Sequence, residues 1–327
     1  MKVLLCCALA LLALDSSAER ESLSPGVHSF GVDGVNLWYR VAGQAGGEPV
    51  VFLHGGPGEG SQTFAHFAGP ALERTLRMVY LDQRGSGRSD RPQDPKAYSI
   101  AQLVDDIEAL RTHLGVARIA LIGHSFGTIL GLEYAAKYPQ HVSRLVLASA
   151  VPDLPRLLDI QCVRLQTQDA AAYARAVGGR AAGAFPRCNA FDAYTGDAQA
   201  AFVQRNMFPD PAVGREVDAM DSADGLSNTG ELGGALVHQG LFDYRFLRTA
   251  EVGSPVLVIA GQRDFQAPLA PQRDLAKALP HGRLLVYPGR GHFSFVEDPD
   301  RFARDVSAFL TTSRRAVPQP LLPGQTP

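Results

Sequence analysis

The run IALIGHSFGTILGLEYAAK, residues 119–137, changes character at its centre. Ile119 to Ile122 are short and apolar, the pattern of a buried strand. Phe126 to Lys137 carry apolar residues at helical spacing, and Pro139 stops the pattern. Between them stands Gly123-His124-Ser125-Phe126-Gly127, a G-x-S-x-G sequence. A strand that passes through a glycine-flanked serine straight into a helix forms a tight elbow, which lifts the hydroxyl off the sheet edge. The glycines let other chain segments come close. The helix N-terminus behind the serine favours developing negative charge.

Outward from this run, strands and helices alternate. Val50 to Leu53, Met78 to Leu81 and Val142 to Ala148 read as strands, with Ile100 to Leu114 as an amphipathic helix between. The pattern returns after residue 250, with strands at Val256 to Ala260 and Arg283 to Tyr287 and helices near Pro271 to Leu279 and Pro299 to Leu310. Two short apolar segments around Gly34 suggest a hairpin at 27–42. Such alternation predicts a mostly parallel central sheet with helices on both faces. With the elbow, it predicts the α/β-hydrolase fold. Residues 19–150 and 251–312 would form the core. The stretch 151–250 lacks strand-like runs and reads as a helical cap, with pieces at 167–177, 197–206 and 229–248. The proline-rich tail 313–327 reads as flexible.

Serine is a weak nucleophile without a neighbouring base. For Ser125 the best-placed base is His292, in Gly289-Arg290-Gly291-His292, directly after a strand. His281 precedes that strand, and His54 and His124 belong to the glycine-rich turns, where His124 would point away or hold the elbow. Asp264 follows the strand Val256 to Ala260 and suits the acid that orients the histidine. Asp153, after an earlier strand, is its main competitor. The oxyanion of an acyl-transfer intermediate needs two donors. Phe126, just after the serine, supplies one backbone N–H, and Gly56 in His54-Gly55-Gly56-Pro57-Gly58 supplies the other. Asp82 and Arg84 are expected to pair locally and shape the floor of the site.

The 327-residue chain carries 31 Lys and Arg against 33 Asp and Glu, a net charge of −2, which gives no basic field for nucleic acid. No phosphate-loop or dinucleotide fingerprint is present, and no cysteine spacing points to a metal, so no cofactor is expected. Lys2, the apolar run Val3 to Leu14 and the small residues Ser16 to Ala18 read as an export signal over 1–18, too short for a stable membrane span. Cys162 and Cys188 would then meet an oxidising compartment, where a bridge between them can form.

HGGPG at 54–58, YLDQRGSGRSD at 80–90, GHSFG at 123–127, GQRD at 261–264 and GRGH at 289–292 together resemble the proline iminopeptidase family of α/β-hydrolases. The resemblance implies a serine aminopeptidase that releases an N-terminal residue, often proline, from short peptides without a cofactor. It implies Ser125, Asp264 and His292 as the triad and Gly56 and Phe126 as the oxyanion positions. It also implies acidic cap residues that hold the substrate's free amino group. Glu216 and Glu231 are the glutamates of the cap, with Asp218, Asp221 and Asp224 as further acidic candidates. The tryptophan-rich cap helix of proline-specific members has no counterpart, because the one tryptophan is Trp38. An esterase, amidase or lactonase acting on a small substrate would use the same triad.

Overall fold

The computed structural model describes residues 21–178, 188–226 and 228–312. The expected export segment and the expected tail lie outside the described residues. Eight strands make one sheet: β1 (Gly26–Val32), β2 (Val35–Gly43), β3 (Pro49–Leu53), β4 (Arg77–Leu81), β5 (Ile119–His124), β6 (Val142–Ala148), β7 (Val256–Gly261) and β8 (Gly282–Tyr287). Their spatial order is β1-β2-β4-β3-β5-β6-β7-β8. The hairpin β1–β2 and the pair β2–β4 are antiparallel, and the other neighbours run parallel. Every residue of β3, β5 and β7 is buried, which explains why these strands read as unbroken apolar runs.

Four helices belong to the first half of the core: α1 (Gln62–Phe67), α2 (Gly69–Leu72), α3 (Ile100–His113) and α4 (Phe126–Lys137). Ser99 caps α3 by accepting from the Gln102 N–H, and Leu103, Ile107 and Leu110 pack on one face of the sheet with Ile129 of α4. The opposite face is covered by a second apolar layer containing Phe64, Phe295, Phe302 and Phe309.

The chain leaves the sheet after β6 and returns at β7. Between lie α5 (Leu154–Gln168), α6 (Ala170–Gly178), α7 (Gly196–Met207), α8 (Pro211–Asp224) and α9 (Glu231–His238), the helical cap. The core then closes with α10 (Leu269–Ala278), α11 (Ser294–Glu297) and α12 (Pro299–Thr311). The cap differs from the sequence expectation in detail. The piece expected at 167–177 straddles two helices that break at Asp169, whose carboxylate accepts from the Ala172 N–H at 2.8 Å. Helices α5 and α8 were not anticipated. Each begins with an aspartate cap and a proline in the first turn: Asp153 accepts from the Arg156 N–H and Asp210 from the Ala212 N–H. Helix α9 stops at His238, well short of 248.

Cys162 on α5 and Cys188 form a disulfide, with Cα atoms 6.2 Å apart. It lies in a small apolar cluster of its own with Leu165, Ala172, Phe202 and Phe265.

Candidate active site

Strand β5 ends at His124 and α4 starts at Phe126, so Ser125 alone makes the turn, at φ 50° and ψ −119°. A non-glycine residue with positive φ needs support from its surroundings. Three hydrogen bonds provide it. Ser125 N–H donates to Ala148 O at 3.0 Å, and Ser125 O accepts from Thr128 N–H at 2.9 Å and from Thr128 Oγ1 at 2.6 Å. The elbow also needs the backbone of β3 to pass very near: a Cβ at Gly127 would stand 2.1 Å from Leu53 O.

His292 follows β8, and Asp264 lies in the turn after β7. His292 Nδ1 is 3.1 and 3.0 Å from the two carboxylate oxygens of Asp264, and both residues are buried. A carboxylate only accepts, so Nδ1 carries the proton and Nε2 is left as the base. Asp264 is fixed in turn by the Ala267 N–H, which donates to Oδ1 at 2.8 Å. Asp153, the rival acid, is the cap of α5 and pairs with Arg245 at 3.6 Å, so it is not the histidine's partner.

The main chain of His292 is held from both sides. Its N–H donates to Met207 O at 3.1 Å, at the end of cap helix α7. Its carbonyl accepts from His124 Nε2 at 3.0 Å and from Ser149 Oγ at 2.9 Å. Phe208 of the cap stacks on Phe293 with ring centres 4.9 Å apart.

The glycine loop 54–58 enters from the end of β3. A Cβ at Gly55 would lie 3.1 Å from that of Ser125, which places the loop against the nucleophile. Its base is tied by Gln83: the Gln83 N–H donates to His54 Nε2 at 3.0 Å, and Gln83 Nε2 donates to His54 O at 3.0 Å. His54 Nδ1 faces Gly55 O at 3.0 Å. An accepting Nε2 and a donating Nδ1 define a neutral imidazole, in keeping with burial, which lowers its pKa. Below the loop, Asp82 accepts from Ser61 and Arg88, and Arg84 forms a buried two-point pair with Asp106. Asp82 and Arg84 thus pair locally, as expected. Phe126 is the first residue of α4, so its N–H has no partner within the helix.

Ser125, His292, Gly56 and Phe126 all line one cavity of about 370 Å³. Its wall is mainly apolar, with Leu154, Leu157 and Leu158 of α5, and it includes the amides of Gln161, Asn189 and Gln266. Among the described residues, no carboxylate lines it. Neither Glu216 nor Glu231 reaches this cavity. Glu216 points outward from α8, because Val213, Gly214 and Val217 take the inner face. Glu231, at the start of α9, meets Tyr98 Oη at 3.3 Å and Arg91 at 3.8 Å in a separate groove. Two acidic groups, Glu59, which interacts electrostatically with His292, and Asp221, lie on the Phe293 side of the site. They share a recess of about 210 Å³ with Thr63, Asn228 and Phe293. Burial raises both pKa values. For Glu59, the nearby His292 lowers the value and Asp221 raises it further. Asp221 was among the acidic cap candidates. Glu59 was not, although its place directly behind the HGGPG motif was a usable signal. Among the described residues, no group of three or more His, Cys, Asp or Glu could hold a metal ion.

This sheet, elbow and histidine–aspartate pair define an α/β serine hydrolase. The sequence profile of the alpha/beta hydrolase fold family matches residues 48–299. The proline iminopeptidase of Xanthomonas citri is 31% identical over 311 residues, covering 84% of this chain and 92% of that protein. A putative 2-succinyl-6-hydroxy-2,4-cyclohexadiene-1-carboxylate synthase of Bacillus subtilis (strain 168) is 30% identical over 285 residues, covering 86% and 96%. The crystal structure of a proline iminopeptidase-related protein from Thermus thermophilus superposes with a TM-score of 0.72 at 26% identity, covering 87% of this chain and 96% of that one. The chain belongs to the α/β-hydrolase family and, within it, to the proline iminopeptidase group.

Proposed function

We propose that the protein is a serine aminopeptidase that removes the first residue from short peptides. Ser125 attacks the first carbonyl while His292 Nε2 takes its proton, and Asp264 holds the resulting imidazolium. The N–H groups of Gly56 and Phe126 receive the oxyanion. His292 returns the proton to the leaving amine, and water then frees the acyl group. The apolar cavity receives the side chain of the first residue.

The observation that carries this reading is the recess of Glu59 and Asp221 on the Phe293 side of the site. Two carboxylates in one partly dry recess repel each other, and burial holds both above their ordinary range. A substrate ammonium relieves that repulsion and is itself repaid for lost hydration. Glu59 and Asp221 therefore take the anchoring role for which the sequence suggested Glu216 or Glu231. The test compares residue p-nitroanilides with their N-acetyl forms. The free amine should be preferred by about tenfold or more, and Glu59→Gln or Asp221→Asn should remove the preference by raising KM. Equal rates for free and acetylated substrates would defeat the aminopeptidase reading.

A second reading has one observation in its favour: the absence of a carboxylate, among the described residues, from the wall of the cavity around Ser125. An uncharged acyl ester, amide or lactone would fit that wall without using the recess. Equal rates in the same assay, with rapid turnover of simple esters, would establish it.

Export is also proposed, with action outside the cytoplasm. The support is the pattern of residues 1–18 and the Cys162–Cys188 bridge.

A further inference from the structure

His124 is fully buried, lies next to the nucleophile, and has no part in the acyl-transfer steps. We propose that it is a positioning residue for the base, holding the main-chain carbonyl of His292 and so setting the separation of base and nucleophile. The inference rests on the triad reading and is independent of the substrate.

Three observations carry it. The first is the hydrogen bond itself. His124 Nε2 lies 3.0 Å from His292 O, across 168 residues of sequence. A carbonyl can only accept, so Nε2 must bear the proton. A neutral imidazole does this, and burial, with His292 and His54 close by, keeps the His124 pKa well below the ordinary histidine value. The donor therefore needs no added charge on the ring.

The second is the short path it makes. His124 is the last residue of β5, and Ser125 follows it. The ring thus ties the residue before the nucleophile to the residue that acts as base. Its centre is 4.9 Å from the His292 ring and 4.9 Å from Phe293, and Phe295 meets it edge-on at 5.0 Å. Packed on these sides, the imidazole has little freedom to swing.

The third is convergence. Ser149 Oγ reaches the same carbonyl at 2.9 Å from the residue after β6, where Ser149 holds a positive φ of 53° and its N–H donates to Ile259 O on β7. The ends of β5 and β6 are thereby joined at one oxygen, with Ser149 tied in turn to β7 through its N–H, while Asp264 fixes the ring and Met207 the N–H. Two donors on one buried carbonyl exceed what main-chain satisfaction requires. They fix the orientation of the peptide from which the base projects. Displacing a base by about 1 Å can reduce a rate by about a hundredfold.

The test uses a fluorophosphonate probe, whose reaction needs the serine, its base and the oxyanion donors but no substrate amino group. The Ser125 Oγ–P bond forms, the P–F bond breaks, fluoride leaves and His292 takes the serine proton. His124→Met keeps the volume and removes the donor. It should lower the maximal labelling rate about 10- to 100-fold with the probe's half-saturation concentration unchanged. His124→Gln, which restores an N–H donor, should recover most of that loss. Ser149→Ala should have a smaller effect of the same kind, and the double variant with His124→Met should lose less than the product of the two. A folded His124→Met with the parental labelling rate overturns the proposal, as does a His124→Gln no faster than His124→Met. If His124→Met fails to fold, Ser149→Ala decides: an unchanged rate overturns the proposal, and a lower rate with unchanged half-saturation supports it. Ser125→Ala serves as the separate control, since a labelled Ser125→Ala would mean that the triad reading itself is wrong.

Discussion

Around Ser125 the supports are mostly backbone groups and short buried side chains at the ends of adjacent strands: Ala148 O, Thr128, Leu53 O and the doubly held carbonyl of His292. The cap is built differently. Its inner cluster is small, rich in alanine, and closed by one disulfide, and two of its helices, α5 and α8, start on aspartate–proline caps. The first arrangement tolerates almost no displacement, since several glycines there face backbone atoms within 3 Å of any added methyl. The nucleophile and the histidine–aspartate pair sit on the rigid region, and the wall of their cavity is completed by the cap.

The contrast can be broken from either side. Ser125→Ala should lower turnover by about 10⁴-fold or more and leave the melting temperature close to that of the parent, as read by steady-state kinetics and circular dichroism. Gly127→Ala places a methyl 2.1 Å from Leu53 O and should destabilise the whole fold by roughly 3 kcal/mol or more in a denaturant titration. Replacing both Cys162 and Cys188 with serine opens the cap loop and should cost up to about 3 kcal/mol in the chain-entropy view. That loss should appear as earlier proteolysis within the cap, with the sheet still protected from hydrogen exchange. Simultaneous exposure of cap and sheet would show that the two regions unfold as one.

The smallest effect concerns Glu297. Its carboxylate accepts from the Gly291 N–H at 2.8 Å, and burial raises its pKa to about 6. A carboxyl whose folded value is raised binds more protons in the folded state than in the unfolded one. Its contribution is therefore present at low pH and lost as pH rises from the unfolded value through about 6. Glu297→Gln keeps an acceptor and removes the charge. It should flatten that part of the stability curve by on the order of 1 kcal/mol, measured as melting temperature between pH 4.5 and 7.5. An unchanged slope would show that the loop tolerates the charge.

The sheet, its direction and the triad were legible because each is a local pattern. A parallel strand buried on both faces is an apolar run, and the elbow carries its glycines beside it. The cap helices were legible only in part. Asp153-Leu154-Pro155 and Asp210-Pro211 are start signals, yet the mixed polarity of the helices that follow hid them. Glu216 and Glu231, the acidic residues singled out in the sequence, lie away from the cavity of Ser125 for another reason. Which face of α8 turns inward is set by contacts far away in sequence, such as Thr63 Oγ1 donating to Asp221. Val213, Val217 and Asp221 also stand four apart on one face of the helix, so the spacing itself puts Asp221 inward and Glu216 outward once the helix is recognised. His124 was read as a residue that would point away or hold the elbow. Its reach to His292 depends on the pairing of β5 with β6 and of β6 with β7, which only the assembled sheet supplies.

The carbonyl of Met207 seated on the His292 N–H bears on how such enzymes diversify. A cap that merely covered a finished site could be exchanged for another with its junctions chosen for convenience. Here the segment from Met207 to Pro209 presses on the loop of the base so closely that a Cβ at Gly291 would stand 2.4 Å from Pro209 Cδ. A chimera that takes a foreign cap across the whole of 151–250 imports a stranger at that point and inherits a histidine loop shaped for a different neighbour. Grafts that keep the host's own residues from Met207 to Pro209, and replace the helices on either side, retain the interlock. The link between α7 and α8 is thus part of the base's own setting and not only a span between two cap helices.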